Sequence, residues 1–261
     1  MCSQNNAYKK ELTDFLCYSY FKIMPEDWVK ELQDKKGCEY LKNYEYRDYC
    51  LMMVIMKAYD DATMQKAYTA LIGKEDTILK GKSDKARIMA SELLFKELTT
   101  TESTLSFNDW HEKVCKSLVD EYKNVKLEKP LFTYGNAQKW LNMTLKYLWL
   151  LGMLPEWIEE SDLHIPIDSY ILQAIKDEKK IDNKNNISAD GIKGSGQDYT
   201  YKDKAWSNLD YDEYAAFYEK YQGELESPLK WENEAWIKTA VKRKSKEIDE
   251  KIKKFFEKSE N

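Results

Sequence analysis

Apolar residues recur along this chain at the three-and-four spacing of helices, so the sequence reads as helix after helix. From Asn6 to about Phe21, the residues Leu12, Phe15, Leu16, Tyr20 and Phe21 fall on one side. Pro25 opens a short helix through Trp28 and Leu32. Tyr46 to Tyr59 contains the run from Cys50 to Met56, which reads as a buried core helix too short to span a membrane. A further helix spans Met64 to Ile72 and closes at Gly73. Ser83 and Asp84 start a helix that runs to Leu98, with Ile88, Met89, Leu93 and Leu94 as its apolar positions. The polar run Thr99 to Ser106 is the best internal boundary. It would divide a single α-helical unit, residues 1–261, into lobes 1–98 and 107–261. Ser106 or Asn108 is placed to cap a helix whose Trp110, Val114 and Leu118 form a packed face, and Lys126 to Pro130 lead out of it.

The stretch from Phe132 to Tyr170 is the most distinctive. Tyr134-Gly135-Asn136 reads as a turn leading into a helix from about Ala137 to Leu151, which ends at Gly152 with Pro155 beyond. Apolar residues surround this helix almost completely, which places it in the centre of a domain. Its exceptions, Lys139, Asn142 and Lys146, form one stripe that must face water, a cavity or a ligand. Pro166 then blocks a helix, and Asp168 or Ser169 is placed to cap the next one, Tyr170 to about Asp177.

Ile181 to Lys204 is a long polar segment with Gly191, Gly194 and Gly196. It fits neither phosphate-loop fingerprint and reads as a surface loop. Leu209 to Gln222 forms a helix with a stripe of Tyr211, Tyr214, Tyr218 and Tyr221, a core face or a stacking platform. Pro228 opens the last helix. From Lys238 to Lys258 that helix carries nine Lys/Arg against four Asp/Glu, with Lys242, Arg243, Lys244 and Lys246 as the densest basic run. Such a run is a solvated face or a phosphate contact.

Composition narrows the classes. With 261 residues the chain can bury a sizeable core. Gly (9) and Pro (5) are scarce, which favours helix over sandwich or barrel. The net charge of −5 weighs against nucleic acid unless charge is locally concentrated, as it is at the C-terminus. Five cysteines without a C-x-x-C and two histidines exclude an iron–sulfur cluster, a Cys-rich zinc site and a multi-His centre, so no metal or cofactor is expected. Free thiols, no signal core and no transmembrane run imply a cytoplasmic protein that avoids membranes. His111 stands one turn from Cys115, but nothing supplies the exposed thiolate that nucleophilic chemistry needs.

The ordered set of Gly135 turn, Lys139 on a buried helix and Ile165-Pro166-Ile167-Asp168 opening another helix resembles the helix-hairpin-helix DNA glycosylase superfamily. Within it, the set is most similar to the lysine-bearing 8-oxoguanine glycosylases. The hairpin here has one glycine where the family usually has two, and the loop before Asp168 is nearer in length to the archaeal branch. The resemblance implies an all-α, helix-hairpin-helix glycosylase-like bundle of about ten helices, monomeric, acting on modified-base duplex DNA. It puts Lys139 in the place of the catalytic lysine and Asp168 in that of the catalytic aspartate. The chemistry is coherent. A lysine amine can attack the sugar C1′ if burial and a helix N-terminus disfavour its charged form, and a nearby carboxylate can move a proton or steady positive charge. The amides of Tyr134, Gly135 and Asn136, and the run Lys242, Arg243, Lys244 and Lys246, would hold phosphate. Phe132, Trp140, Asn142 and Trp206 would line a pocket for a flipped base. A non-catalytic nucleic-acid-binding protein of the same fold, or a helical protein-interaction module, are the alternatives.

Overall fold

The computed structural model describes residues 2–35, 42, 44–63, 77–100, 104–125, 132–182, 194–195, 198–201, 204–222 and 225–257. Among them the chain forms nine α-helices: α1 Cys2–Phe21, α2 Glu26–Gln33, α3 Tyr46–Thr63, α4 Thr77–Thr99, α5 Phe107–Glu121, α6 Tyr134–Leu150, α7 Ser169–Asp182, α8 Tyr211–Tyr221 and α9 Pro228–Glu257. Single 3-10 turns lie at Glu160–Asp162 and Trp206–Asn208. The all-α class expected from the pattern is the one the chain adopts. Its exception is a small antiparallel ribbon, β1 Gly194–Ser195, β2 Asp198–Tyr201 and β3 Lys204–Ala205, within the segment that reads as a loop. The helix expected at 64–72 and the lead-in at 126–130 lie outside the described residues.

The chain divides into two compact units. The first comprises Met1–Ser106, Asp120–Leu131 and Met143–Trp157; the second comprises Phe107–Val119, Phe132–Asn142 and Ile158–Asn261. One division falls after Ser106, and α5 and α6 each contribute to both units.

In the first unit α3 buries Tyr49, Cys50, Leu51, Val54, Ile55, Ala58 and Ala62. It packs on α4, whose buried face is Ala86, Ala90, Leu94 and Leu98. Ile88 and Met89, two of the apolar positions of this helix, are exposed. The helix starts at Thr77 rather than Ser83, and its alanine row makes the contact. Leu12, Phe15, Leu16 and Tyr20 of α1 also lie exposed. An amphipathic period shows that a face exists but not what covers it. Tyr20 and Phe21 reach the buried ring of Tyr147, whose hydroxyl donates to Asp61 Oδ2 at 2.5 Å. Trp28 of α2 points out, and its neighbour Val29 enters the core.

In the second unit α5 presents Trp110, His111, Val114, Cys115 and Leu118. From α7 come Ile171, Leu172 and Ile175, from α8 Tyr214 and Phe217, and from α9 Leu229 and Ala235. α7 and α9 pack along each other. α8 opens with a capping box in which Asp210 and Glu213 each accept the other's backbone N–H. Among the described residues no helix is long and apolar enough to cross a membrane.

Candidate active site

α6 begins at Tyr134, three residues before the sequence suggests. Thr133 is the reason. Its hydroxyl and carbonyl accept the Asn136 N–H, while Asn136 Oδ1 accepts the Thr133 N–H at 3.2 Å. This is a capping box with Asn in the usual Glu position. Tyr134-Gly135-Asn136 is therefore the first helical turn. Gly135 serves a close approach rather than a bend: a Cβ there would lie 2.2 Å from the backbone oxygen of Trp206. Its N–H donates to Leu209 O at 3.0 Å, and the Ala137 N–H donates to Thr133 O at 3.0 Å. The amides of Gly135 and Asn136, read from sequence as phosphate donors, are engaged within the chain. The short segment Trp206–Leu209 is in turn fastened to the start of α6, also through Thr133 Oγ1 donating to Ser207 O.

With this earlier start Lys139 is the sixth helical residue, one turn deeper than expected. The helix dipole acts mainly within the first turn, so Lys139 lies beyond its main reach. Lys139 is 7% exposed and Asp168 8%, and Lys139 Nζ stands 3.4 Å from Asp168 Oδ2. The amine also lies 4.6 Å from the centroid of the Trp206 ring, a cation–π contact. Asp168 is the cap of α7: its Oδ1 accepts the N–H groups of Tyr170 at 2.8 Å and Ile171 at 3.0 Å. Its Oδ2 accepts both Lys139 and the indole N–H of Trp236 at 3.3 Å. Two residues 29 apart in sequence thus converge, one from the second turn of α6 and one from the cap of α7.

The rest of the polar stripe is inside the protein. Asn142 Oδ1 lies 2.7 Å from His111 Nε2, and Asn142 Nδ2 reaches the Tyr214 hydroxyl at 3.1 Å and Ile165 O at 3.3 Å. Tyr214 Oη in turn contacts His164 Nδ1 at 2.7 Å, and His164 Nε2 contacts Asn108 Oδ1 at 2.8 Å. One assignment of protons satisfies every link. His111 Nε2–H donates to Asn142, Asn142 to Tyr214, Tyr214 to His164, and His164 Nε2–H to Asn108, with both imidazoles neutral. Burial pushes His111 down to about 4 and His164 well below the usual histidine range, where the neighbouring His111 adds to the effect. The same burial pushes the Cys115 thiol and the Tyr214 hydroxyl upward, so Cys115 is no nucleophile.

Of the residues expected to line a base pocket, Phe132 and Trp140 are buried against each other edge to face, and Asn142 belongs to this network. These three are enclosed by their own neighbours. Trp206 alone stands beside Lys139 and is partly exposed. In the basic run, Lys242 pairs with Asp177 at 2.7 Å. Arg243 donates to Ser169 O at 2.7 Å and lies 4.1 Å from the Tyr170 ring centroid. Arg243 therefore braces α9 on α7, while Lys242 makes an exposed ion pair and Lys244 is exposed. Sequence reasoning missed Trp236, Gln138 and the two histidines as partners. Gln138 bridges Gly135 O and Ile167 O, and Gln138 with Asn142 at i, i+4 on an apolar helix was the available signal. Among the described residues no group of His, Cys, Asp or Glu is arranged to hold a metal ion.

No family model, no curated protein and no solved structure matches the chain.

Proposed function

We propose that the protein is a DNA glycosylase with lyase capacity, in which Lys139 is the nucleophile and Asp168 the assisting carboxylate. The observation that carries this reading is the buried Lys139–Asp168 pair at 3.4 Å, presented from the second turn of α6 and the cap of α7 with the Trp206 ring over the amine. In the reaction Lys139 passes its proton to Asp168 or to solvent, and its free amine attacks C1′ of a deoxyribose. The glycosidic bond breaks, and the base leaves with the bonding electron pair and takes up a proton. The resulting N,O-acetal opens as the C1′–O4′ bond breaks and O4′ takes up a proton, which leaves a protonated Schiff base between Lys139 and C1′. The Asp168 carboxylate, its proton handed on to the leaving base, balances the positive charge. A base reaches such a site when flipped out of the duplex.

The deciding experiment is borohydride trapping on duplexes that carry oxidised, alkylated, deaminated or glucosylated bases. A covalent protein–DNA adduct that maps to Lys139 supports the reading. Release of no base from any duplex overturns it. A second reading, a helical interaction module, draws on the exposed row of Val241, Ile248, Ile252 and Phe255 along the end of α9. A protein that leaves every duplex unshifted in a gel would favour that module.

A further inference from the structure

Trp236 enters the site from α9, and no motif in the sequence marks it. Resting on the glycosylase reading, we propose that Trp236 is a positioning residue: its indole N–H holds Asp168 Oδ2 in place while Lys139 leaves the ion pair to react. The argument starts from how the carboxylate is used. Oδ1 is committed to the cap of α7 through the N–H groups of Tyr170 and Ile171. That fixes the carboxyl group at one oxygen but leaves rotation about the side chain to be set at the other. Oδ2 has two donors, Lys139 at 3.4 Å and Trp236 at 3.3 Å. The first of these must depart. A lysine that becomes a neutral nucleophile and then an iminium carbon-bound to the sugar no longer points its amine at Oδ2. A buried carboxylate oxygen without a donor is costly and would turn toward another. The indole N–H supplies the donor that stays.

The indole is itself braced. Its ring stacks on Tyr170, with centroids 5.0 Å apart and planes 29° from parallel. Arg243 covers the same tyrosine at 4.1 Å and donates to Ser169 O and Oγ. Trp236, Tyr170 and Arg243 form a ladder across the start of α7, the helix that Asp168 caps. The shared oxygen has a second consequence. Trp236 competes with Lys139 for Oδ2, so the lysine is held less tightly than in a private pair and is more readily released.

Two variants remove the N–H: Trp236→Phe, which keeps a smaller aromatic ring, and replacement of Trp236 by 3-benzothienylalanine, which keeps the bicyclic shape with sulfur in place of the N–H. The first readout is single-turnover excision on the duplex the unaltered protein cleaves. About a tenfold slower step is expected, the scale of a lost hydrogen bond to a charged group, with DNA affinity unchanged. The second readout needs no substrate. Acetylation of Lys139 by acetic anhydride, followed by mass spectrometry against the other lysines at one pH, should slow severalfold, because Oδ2 then belongs to Lys139 alone. Unchanged Lys139 acetylation in the benzothienyl protein overturns the proposal, and that variant decides if Trp236→Phe fails to fold. Should the unaltered protein excise no base while acetylation still slows, the glycosylase reading falls and the positioning of the pair stands.

Discussion

Lys139 and Asp168 differ in what each can lose without disturbing the fold. Lys139→Gln removes the amine and leaves a side chain that fits the same space beside Trp206. It should abolish base release and Schiff-base trapping together. Asp168 keeps three N–H donors when the lysine is gone, from Tyr170, Ile171 and Trp236, so the destabilisation should stay below the roughly 3–5 kcal/mol typical of breaking a buried pair. Chemical denaturation of Lys139→Gln measures this directly. Asp168→Asn preserves the cap, because Asn caps about as well as Asp. Excision should slow by roughly 10²–10⁴-fold. The melting temperature should fall, because the amide NH2 that replaces Oδ2 faces the Lys139 amine and the Trp236 N–H, so excision is measured well below the melting temperature. A stable Asp168→Asn protein with full activity would remove Asp168 from the chemistry. Both positions could be read in the sequence, Lys139 as a cation on an apolar helix and Asp168 as a residue placed to cap after Pro166. Trp236 could not. It lies 68 residues from Asp168, and nothing local to α9 tells an indole that reaches a carboxylate from one that fills a core.

At the scale of elements, the start of α6 and the polar interior of the second unit each carry a prediction. Thr133→Ala removes one half of the capping box and should cost about 1 kcal/mol. Gly135→Ala places a methyl group against the backbone of Trp206, which cannot swing aside as a side-chain tip would. It should cost about 1–3 kcal/mol, the overpacking range, and loosen Trp206 from Lys139 as well. Urea titration separates the two sizes, and a Gly135→Ala protein as stable as the parent would show that the segment moves freely. This start was misread in the sequence because Tyr134-Gly135-Asn136 has the composition of a turn. The glycine is required by a chain segment 71 positions away, which no local pattern records. In the same way the period of α1 and α4 predicted helices correctly, but the inward side of α4 was decided by Ala86 and Ala90 meeting α3.

The histidine network gives a pH dependence whose sign follows from both imidazoles being neutral in the fold. Unfolded histidine titrates near 6.5, whereas His111 in the fold titrates near 4. Its contribution is therefore complete above about 6.5 and is lost as pH falls toward 4, by roughly 3 kcal/mol for this one group. His164 acts in the same direction. Near pH 5, unfolding should take up nearly one proton at His111 beyond those of the carboxylates, with His164 adding in the same direction, seen as the slope of unfolding free energy against pH. His111→Asn keeps a donor for Asn142 and cannot titrate, so it should flatten that slope. An unchanged slope would mean that water or a carboxylate already compensates His111.

For the whole molecule the decisive quantity is where charge sits. The chain carries −5, but residues 238–258 of the last helix and tail carry nine Lys/Arg against four Asp/Glu, so the remaining residues sum to −10. On the proposed glycosylase reading, contact with DNA would have to be local, since an overall acidic molecule is repelled by phosphate at long range. The structure separates the basic residues by use. Lys242 is tied to Asp177 and Arg243 to Ser169, and removing Arg243 would disturb the seat of α9 on α7 along with any phosphate contact. Lys244 and Lys254 are exposed on the same helix and are the cleaner probes. If both touch backbone phosphates, Lys244→Gln with Lys254→Gln should weaken binding uniformly across DNA sequences. It should also lower the slope of log affinity against log salt by about 2, since each duplex contact contributes roughly 0.9. Fluorescence anisotropy over a salt series reads both quantities, and the Lys139→Gln protein serves as a partner that binds without turnover. Unchanged affinity and slope would make the end of α9 a solvated face, and the protein would then have to hold DNA by the surface around Trp206 and the Lys139–Asp168 pair.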